Sequence, residues 1–440
     1  MPAYVIPVSS HVQALFQFSK DPAPELENYF SELGEPEPKR GTQEAFIQGV
    51  KKFIAMANVP YSQRQNVFGH KFGGLHYNTK LKGLLMDTYP KVKVEASALY
   101  NICPPLWNCA MNVNNSLRIL VYRGDKPSVA LKELLKGPTV IDCAMFCELS
   151  FLYGTLKMLG EDDFNKCFRG TLYVTQIFAY PIEDPKLPEN GNPMHPFLLA
   201  CTSSELGPLS RVGFAYVSNN KHYRYKHPGG LSSGEACVVI EDKYFPFDPD
   251  LYKPIGLSRS EVGGLLVSAF NEGHNSDDLA VIKAYKKYPK PKIHPYFGIN
   301  PAQLIERFKT FSSLTISIDD LPPPSSESSD NSCFYFNFEK FFEWVRQMRN
   351  QSLDSVGNEL LKNRAEISMQ DLYGPQPDGS YSFPPHFSPF TECMPLKSPA
   401  TAAQVTSALF KPEPQVSTDQ KQNDSNKEKS FCGLKQGSLK

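Results

Sequence analysis

The chain has 440 residues, and its 46 Lys+Arg balance 46 Asp+Glu, so the zero net charge excludes attachment to nucleic acid or an anionic membrane by bulk charge. A hydrophobic share of 41% supports a core, while 38 prolines assign part of the length to linker or tail. No basic and apolar leader opens the chain and no run reaches the roughly 18 apolar residues of a membrane span, so a cytoplasmic protein is expected, with signal-independent export still compatible.

In chain order, residues 1–40 mix short apolar runs with Asp-Pro, Glu-Pro and Lys-Arg breakers and read as an N-terminal arm. Residues 43–56 carry apolar side chains at helical spacing (Phe46, Ile47, Val50, Phe53, Ile54). Residues 117–122 read as a strand, and 129–135 as a short helix ended by Lys136-Gly137-Pro138. The clearest helix is 143–159, with one broad apolar face, Asp142 as N-cap and Gly160 just past its end. The period then changes. Residues 171–180, 197–202, 212–217, 236–241 and 244–247 read as short strands between Pro, Gly and Asn clusters. Helices followed by a run of strands predict an α+β domain over 41–317. A Pro/Ser/acidic linker follows at 318–332, then an aromatic-rich helical segment at 333–370, with Phe341, Phe342, Trp344 and Val345 able to dock on a surface. Residues 371–440 have the composition of a disordered tail.

The ten cysteines are scattered and read as reduced thiols; none forms the tight Cys-x-x-Cys pairs of a structural zinc site. Cys143 stands out because it opens the strongest helix, where a helix N-terminus lowers a thiol pKa. The competing reading is a small core residue. Cys147, one turn on, reads as core, and Cys167, Cys201 and Cys237 as packing residues. The glycine pairs at 73–74, 229–230 and 263–264 make no phosphate loop. The basic, tyrosine-interleaved run 221–227 reads as an exposed loop, and no nucleic-acid partner or membrane is expected.

The stretches KPSVALKELLKGP (126–138), IDCAMFCELSFLYGTLKMLGEDDFNKCF (141–168), MHPF (194–197) and GEACVVIEDKYF (234–245) together resemble the bacterial spore-coat protein-glutamine gamma-glutamyltransferases. The resemblance covers a little over a quarter of the chain and implies a papain-like core related to NlpC-type cysteine enzymes. It places the nucleophile at Cys143, the catalytic carboxylate of the Gly-Glu motif at Glu235, and the acid beside the nucleophile at Asp142, where the family has Glu. His195 matches a His of the family motif. It is also the competing base, since a His after the nucleophile fits a Cys–His pair.

The resemblance implies a transglutaminase: Cys143 forms a thioester on a protein Gln, and a protein Lys resolves it to an isopeptide crosslink, with no cofactor and no metal. Its partners would be proteins bearing exposed Gln and Lys. By its composition the tail, with Gln415, Gln420, Gln422 and Gln436 among lysines, reads either as a solvated polar segment with no role or as a self-crosslinking substrate. Spore association is the family's usual setting. The rivals are a cysteine peptidase or deamidase on the same fold, and an inactive protein-interaction scaffold.

Overall fold

A computed structural model describes residues 38–91, 99, 102–111, 118–122, 124–168, 172–175, 194, 197–201, 211–250, 252–287, 301–322 and 333–349. Nearly all of the arm expected at 1–40 and the whole tail at 371–440 lie outside the described residues. Among these, the helices are α1 (Gln43–Ala57), α2 (Arg64–Phe68), α3 (Asn78–Thr88), α4 (Pro127–Lys136), α5 (Cys143–Leu159), α6 (Glu161–Phe168), α7 (Tyr223–Lys226), α8 (Arg259–Asn271), α9 (Ser276–Lys287), α10 (Pro301–Phe311) and α11 (Phe338–Arg349). The strands are β1 (Leu75–His76), β2 (Trp107–Met111), β3 (Arg118–Tyr122), β4 (Thr139–Val140), β5 (Leu172–Val174), β6 (Leu198–Cys201), β7 (Val212–Ser218), β8 (Gly234–Ile240), β9 (Lys243–Phe245) and β10 (Cys333–Phe336). The class is α+β.

The strands form three sheets. β1 and β4 are a parallel pair, β2-β3-β5 an antiparallel trio, and β6-β10-β7-β8-β9 an antiparallel five-stranded sheet. Helix α5 lies between α1 on one side and β8 on the other. The sequence suggests one apolar face for α5, but burial extends all the way round: within the helix only Cys143 and Lys157 are not buried. Its polar side chains are accommodated internally, since the Ser150 and Thr155 hydroxyls donate to the carbonyls one turn back, at 2.7 and 2.8 Å. A helix buried on every side is the centre of a core. It also approaches α1 closely. A Cβ at Gly154 would stand 2.7 Å from Val50 and 3.0 Å from the Phe46 carbonyl, so a larger residue would push the two helices apart.

The segment 333–370, expected to be a separate helical docking element after a domain ending at 317, is built differently in its described part. Residues 333–336 are a strand inserted between β6 and β7, paired antiparallel with both. Cys-Phe-Tyr-Phe is a short run of strand formers. Asn337 then starts α11, its side chain accepting the Lys340 N–H at 2.9 Å. The ring of Phe336 stacks on Phe46 at 4.5 Å, and Phe334 stacks on Phe214 at 4.8 Å. Trp344 lies against Phe197 and Phe341, at 5.3 and 5.6 Å between ring centres. Phe334, Phe336, Phe341 and Trp344 are therefore part of the central core, and the boundary at 317 cuts through a sheet.

Trp344→Ala is accordingly expected to destabilise the protein by about 3–5 kcal/mol, the usual cost of emptying a buried Trp site. Urea unfolding reads this directly. A loss under about 1 kcal/mol would mean that α11 rests loosely on the core.

Candidate active site

The parallel pair β1–β4 delivers the site. The Ile141 N–H extends the ladder to the His76 carbonyl at 2.9 Å, so Tyr77 and Asp142 leave it side by side. Asp142 is extended, and its Oδ1 accepts the Met145 N–H at 2.7 Å, which makes it the N-cap of α5 as its sequence position suggests. Cys143 is the first helical residue.

The Cys143 thiol is half-buried, and its sulfur meets the backbone N–H of Ala236 in β8 and its own N–H. Burial pushes the thiol pKa well above its ordinary value, with Glu235 and then Asp142 adding to the effect. The two N–H groups pull it down, but by less. The expected lowering by the helix N-terminus is thus overturned: desolvation and two carboxylates outweigh it. Iodoacetamide should therefore alkylate Cys143 slowly at pH 7 and at least about tenfold faster at pH 9, as the thiolate fraction grows. Peptide mass spectrometry follows this, and a rate that is fast and flat with pH would mean a thiolate already formed at neutrality.

Glu235 lies at the start of β8, one residue before Ala236. Its carboxyl accepts the Phe247 N–H, and the Tyr77 hydroxyl donates to its Oε1 at 3.4 Å. Burial, followed by the nearby Asp248, raises its pKa to about 8, and the Phe247 and Tyr77 bonds hold it from rising further. A carboxyl tuned to that range can take a proton and return it near neutral pH. The thiol and this carboxyl are coupled electrostatically, while their hydrogen bonds run to Ala236 and to Tyr77 and Phe247.

The structure therefore brings Cys143, Asp142 and Glu235 to one place. His195 lies outside the described residues. Tyr77, Asp248 and the Ala236 N–H were not legible in the sequence. They lie far from Cys143 in the chain, and only the pairing of β1 with β4 and the packing of α5 on β8 bring them near it.

Cys147, Cys167 and Cys237 are buried, in keeping with packing roles, and Cys201 is half-buried. The run 221–227 is not an exposed loop. It contains α7, and Tyr223, Lys226 and His227 are buried. Two of its basic side chains are bonded internally: Lys226 donates to the Leu314 carbonyl at 2.7 Å, and His227 spans Asp278 at 3.1 Å and the Phe270 carbonyl at 2.9 Å, while Lys221 is exposed. Among the described residues no group of three His, Cys, Asp or Glu side chains is arranged to hold a metal ion, and no helix is long and apolar enough to cross a membrane. Compared with protein-family models, with curated proteins and with solved structures, the chain matches none.

Proposed function

We propose that the chain is a papain-like, cofactor-independent acyltransferase of the transglutaminase type, joining protein Gln to protein Lys through a Cys143 thioester. The observation that carries this reading is the half-buried thiol at the head of the central helix, coupled to a carboxyl tuned to about pH 8. A carboxylate at Glu235 takes the thiol proton as the sulfur attacks the Gln carboxamide carbon. The resulting acid returns that proton to the departing nitrogen, and ammonia leaves as the thioester forms. A Lys amine then attacks the thioester and gives its surplus proton to Glu235, the S–C bond breaks, and Glu235 passes that proton to the departing sulfur, which restores the thiol and the carboxylate. Asp142 caps α5 and fixes the direction of the thiol; its negative charge opposes thiolate formation, which argues against a direct acid–base role.

The test offers the full chain a Gln-rich protein and a labelled primary amine, and follows ammonia release beside amine incorporation. Both should appear in proportion. Ammonia without incorporation would make the protein a deamidase, with water resolving the thioester, and peptide-bond cleavage would make it a peptidase. Neither product would leave the interaction scaffold.

A further inference from the structure

Tyr216 stands opposite Ala236 in the β7–β8 ladder, and Ala236 is the residue whose N–H meets the Cys143 sulfur. The Tyr216 side chain is buried and runs across Gly234. A Cβ on Gly234 would overlap both the Tyr216 hydroxyl oxygen and its ring carbon. The glycine of the Gly-Glu pair is thus explained: it makes room for this hydroxyl beside Glu235. Two groups stand behind the hydroxyl. Tyr216 is hydrogen-bonded to Ser233, and the Arg224 guanidinium donates to Ser233 Oγ at 2.9 Å. An Arg side chain only donates, so Ser233 accepts from it, and the Ser233 bond lowers the Tyr216 pKa, the sense of a Ser233 hydroxyl that donates to the Tyr216 oxygen. The series then runs Arg224 to Ser233 to Tyr216. Among the charged groups around this hydroxyl, Cys143 acts on it most strongly. A guanidinium at the far end polarises every bond in the series towards donation.

Resting on the transferase reading above, we propose that Tyr216 is a further catalytic residue: it donates a hydrogen bond to the carboxamide oxygen as Cys143 attacks, and Ser233 and Arg224 are its positioning residues. As the S–C bond forms, the carbonyl π pair moves to the oxygen, and the Tyr216 O–H meets the charge that develops there. When the carbonyl re-forms, the pair returns, the C–N bond breaks, and ammonia leaves with the proton from Glu235. Tyr216 keeps its own proton throughout.

Tyr216→Phe removes one oxygen and keeps the ring. We expect kcat for amine incorporation to fall about a hundredfold, in the range of a lost oxyanion donor, with KM for the Gln substrate within about twofold. Iodoacetamide alkylation develops no oxyanion, so its rate at Cys143 should match the wild type at every pH. Ser233→Ala, which leaves Tyr216 in place, should give a smaller kcat loss of about tenfold with the same unchanged alkylation, and it carries the test should Tyr216→Phe not fold. Full kcat in a folded Tyr216→Phe, or in Ser233→Ala if that variant has to stand in, overturns the proposal alone. Equal losses in turnover and alkylation would place Tyr216 on the thiol and overturn it too. A wild-type chain without carboxamide chemistry would remove both this proposal and the transferase reading.

Discussion

Cys143→Ala is expected to abolish amine incorporation, with a loss of at least about a thousandfold, because among the described residues Cys143 is the thiol placed beside Glu235 at a helix start. Cys147 and Cys237 lie nearby but are buried, with thiols pushed well above the ordinary range by their burial. Cys143→Ser should be nearly as inactive. A serine hydroxyl is far less acidic than a thiol, and a carboxyl near pH 8 is too weak a base to share its proton. Neither change should move the urea midpoint much, since residue 143 is only half-buried at a helix start. Retention of wild-type incorporation by Cys143→Ala would end the thioester mechanism.

Glu235→Gln keeps the shape of the side chain and deletes the base, so a rate loss of about a hundredfold or more is expected. The wild-type rate should climb with pH through about 8, as Glu235 becomes a carboxylate, and the residual rate of the Glu235→Gln variant should lose that step. Stability should move the other way. The unfolded chain releases this proton near the ordinary value of 4.5, while the fold holds it to about 8. The folded state therefore binds more protons between those values, and stability falls as pH rises across that window. Glu235→Gln removes this dependence. It should be close to wild type at pH 4 and more stable by about 2–4 kcal/mol at pH 9, after allowing for partial solvent access. His195→Gln, measured beside it, should cost much less activity. The reverse ranking would assign the base to His195.

Local signals carry much of this. Asp142 and Gly160 bracket α5 at the residues where the helix begins and ends, because a short acceptor and a glycine satisfy orphan backbone groups without tertiary help. The strands expected at 212–217 and 236–241 are legible from their β-branched and aromatic content, and the structure shifts their bounds by up to two residues, to 212–218 and 234–240. Three things are not. β10 is four residues long and followed at once by a helix, so its aromatic residues suggest helical packing, and its place between β6 and β7 depends on partners more than a hundred residues away. Helices α8 and α9 carry mixed polar and apolar residues with weak one-sided patterning, and the packing of α10 on α7 is a tertiary choice. The state of the Cys143 thiol escapes the sequence because the helix terminus is a local feature, while the burial and the Glu235 charge that override it come from β8.

The insertion of β10 also governs when the molecule can form. During synthesis, β6, β7, β8 and β9 all leave the ribosome well before residues 333–336, so the nascent sheet has a slot between β6 and β7 where its second strand belongs. Both walls of that slot are strand edges with open backbone groups, the kind of edge that recruits foreign strands. A polypeptide that stops near residue 317 keeps that slot permanently and should aggregate, although it holds Cys143, Asp142 and Glu235. The long-range pairing that closes the sheet also makes for slow folding. Residues 333–336 thus act as a late keystone, and a competent site is assembled only in chains translated past them.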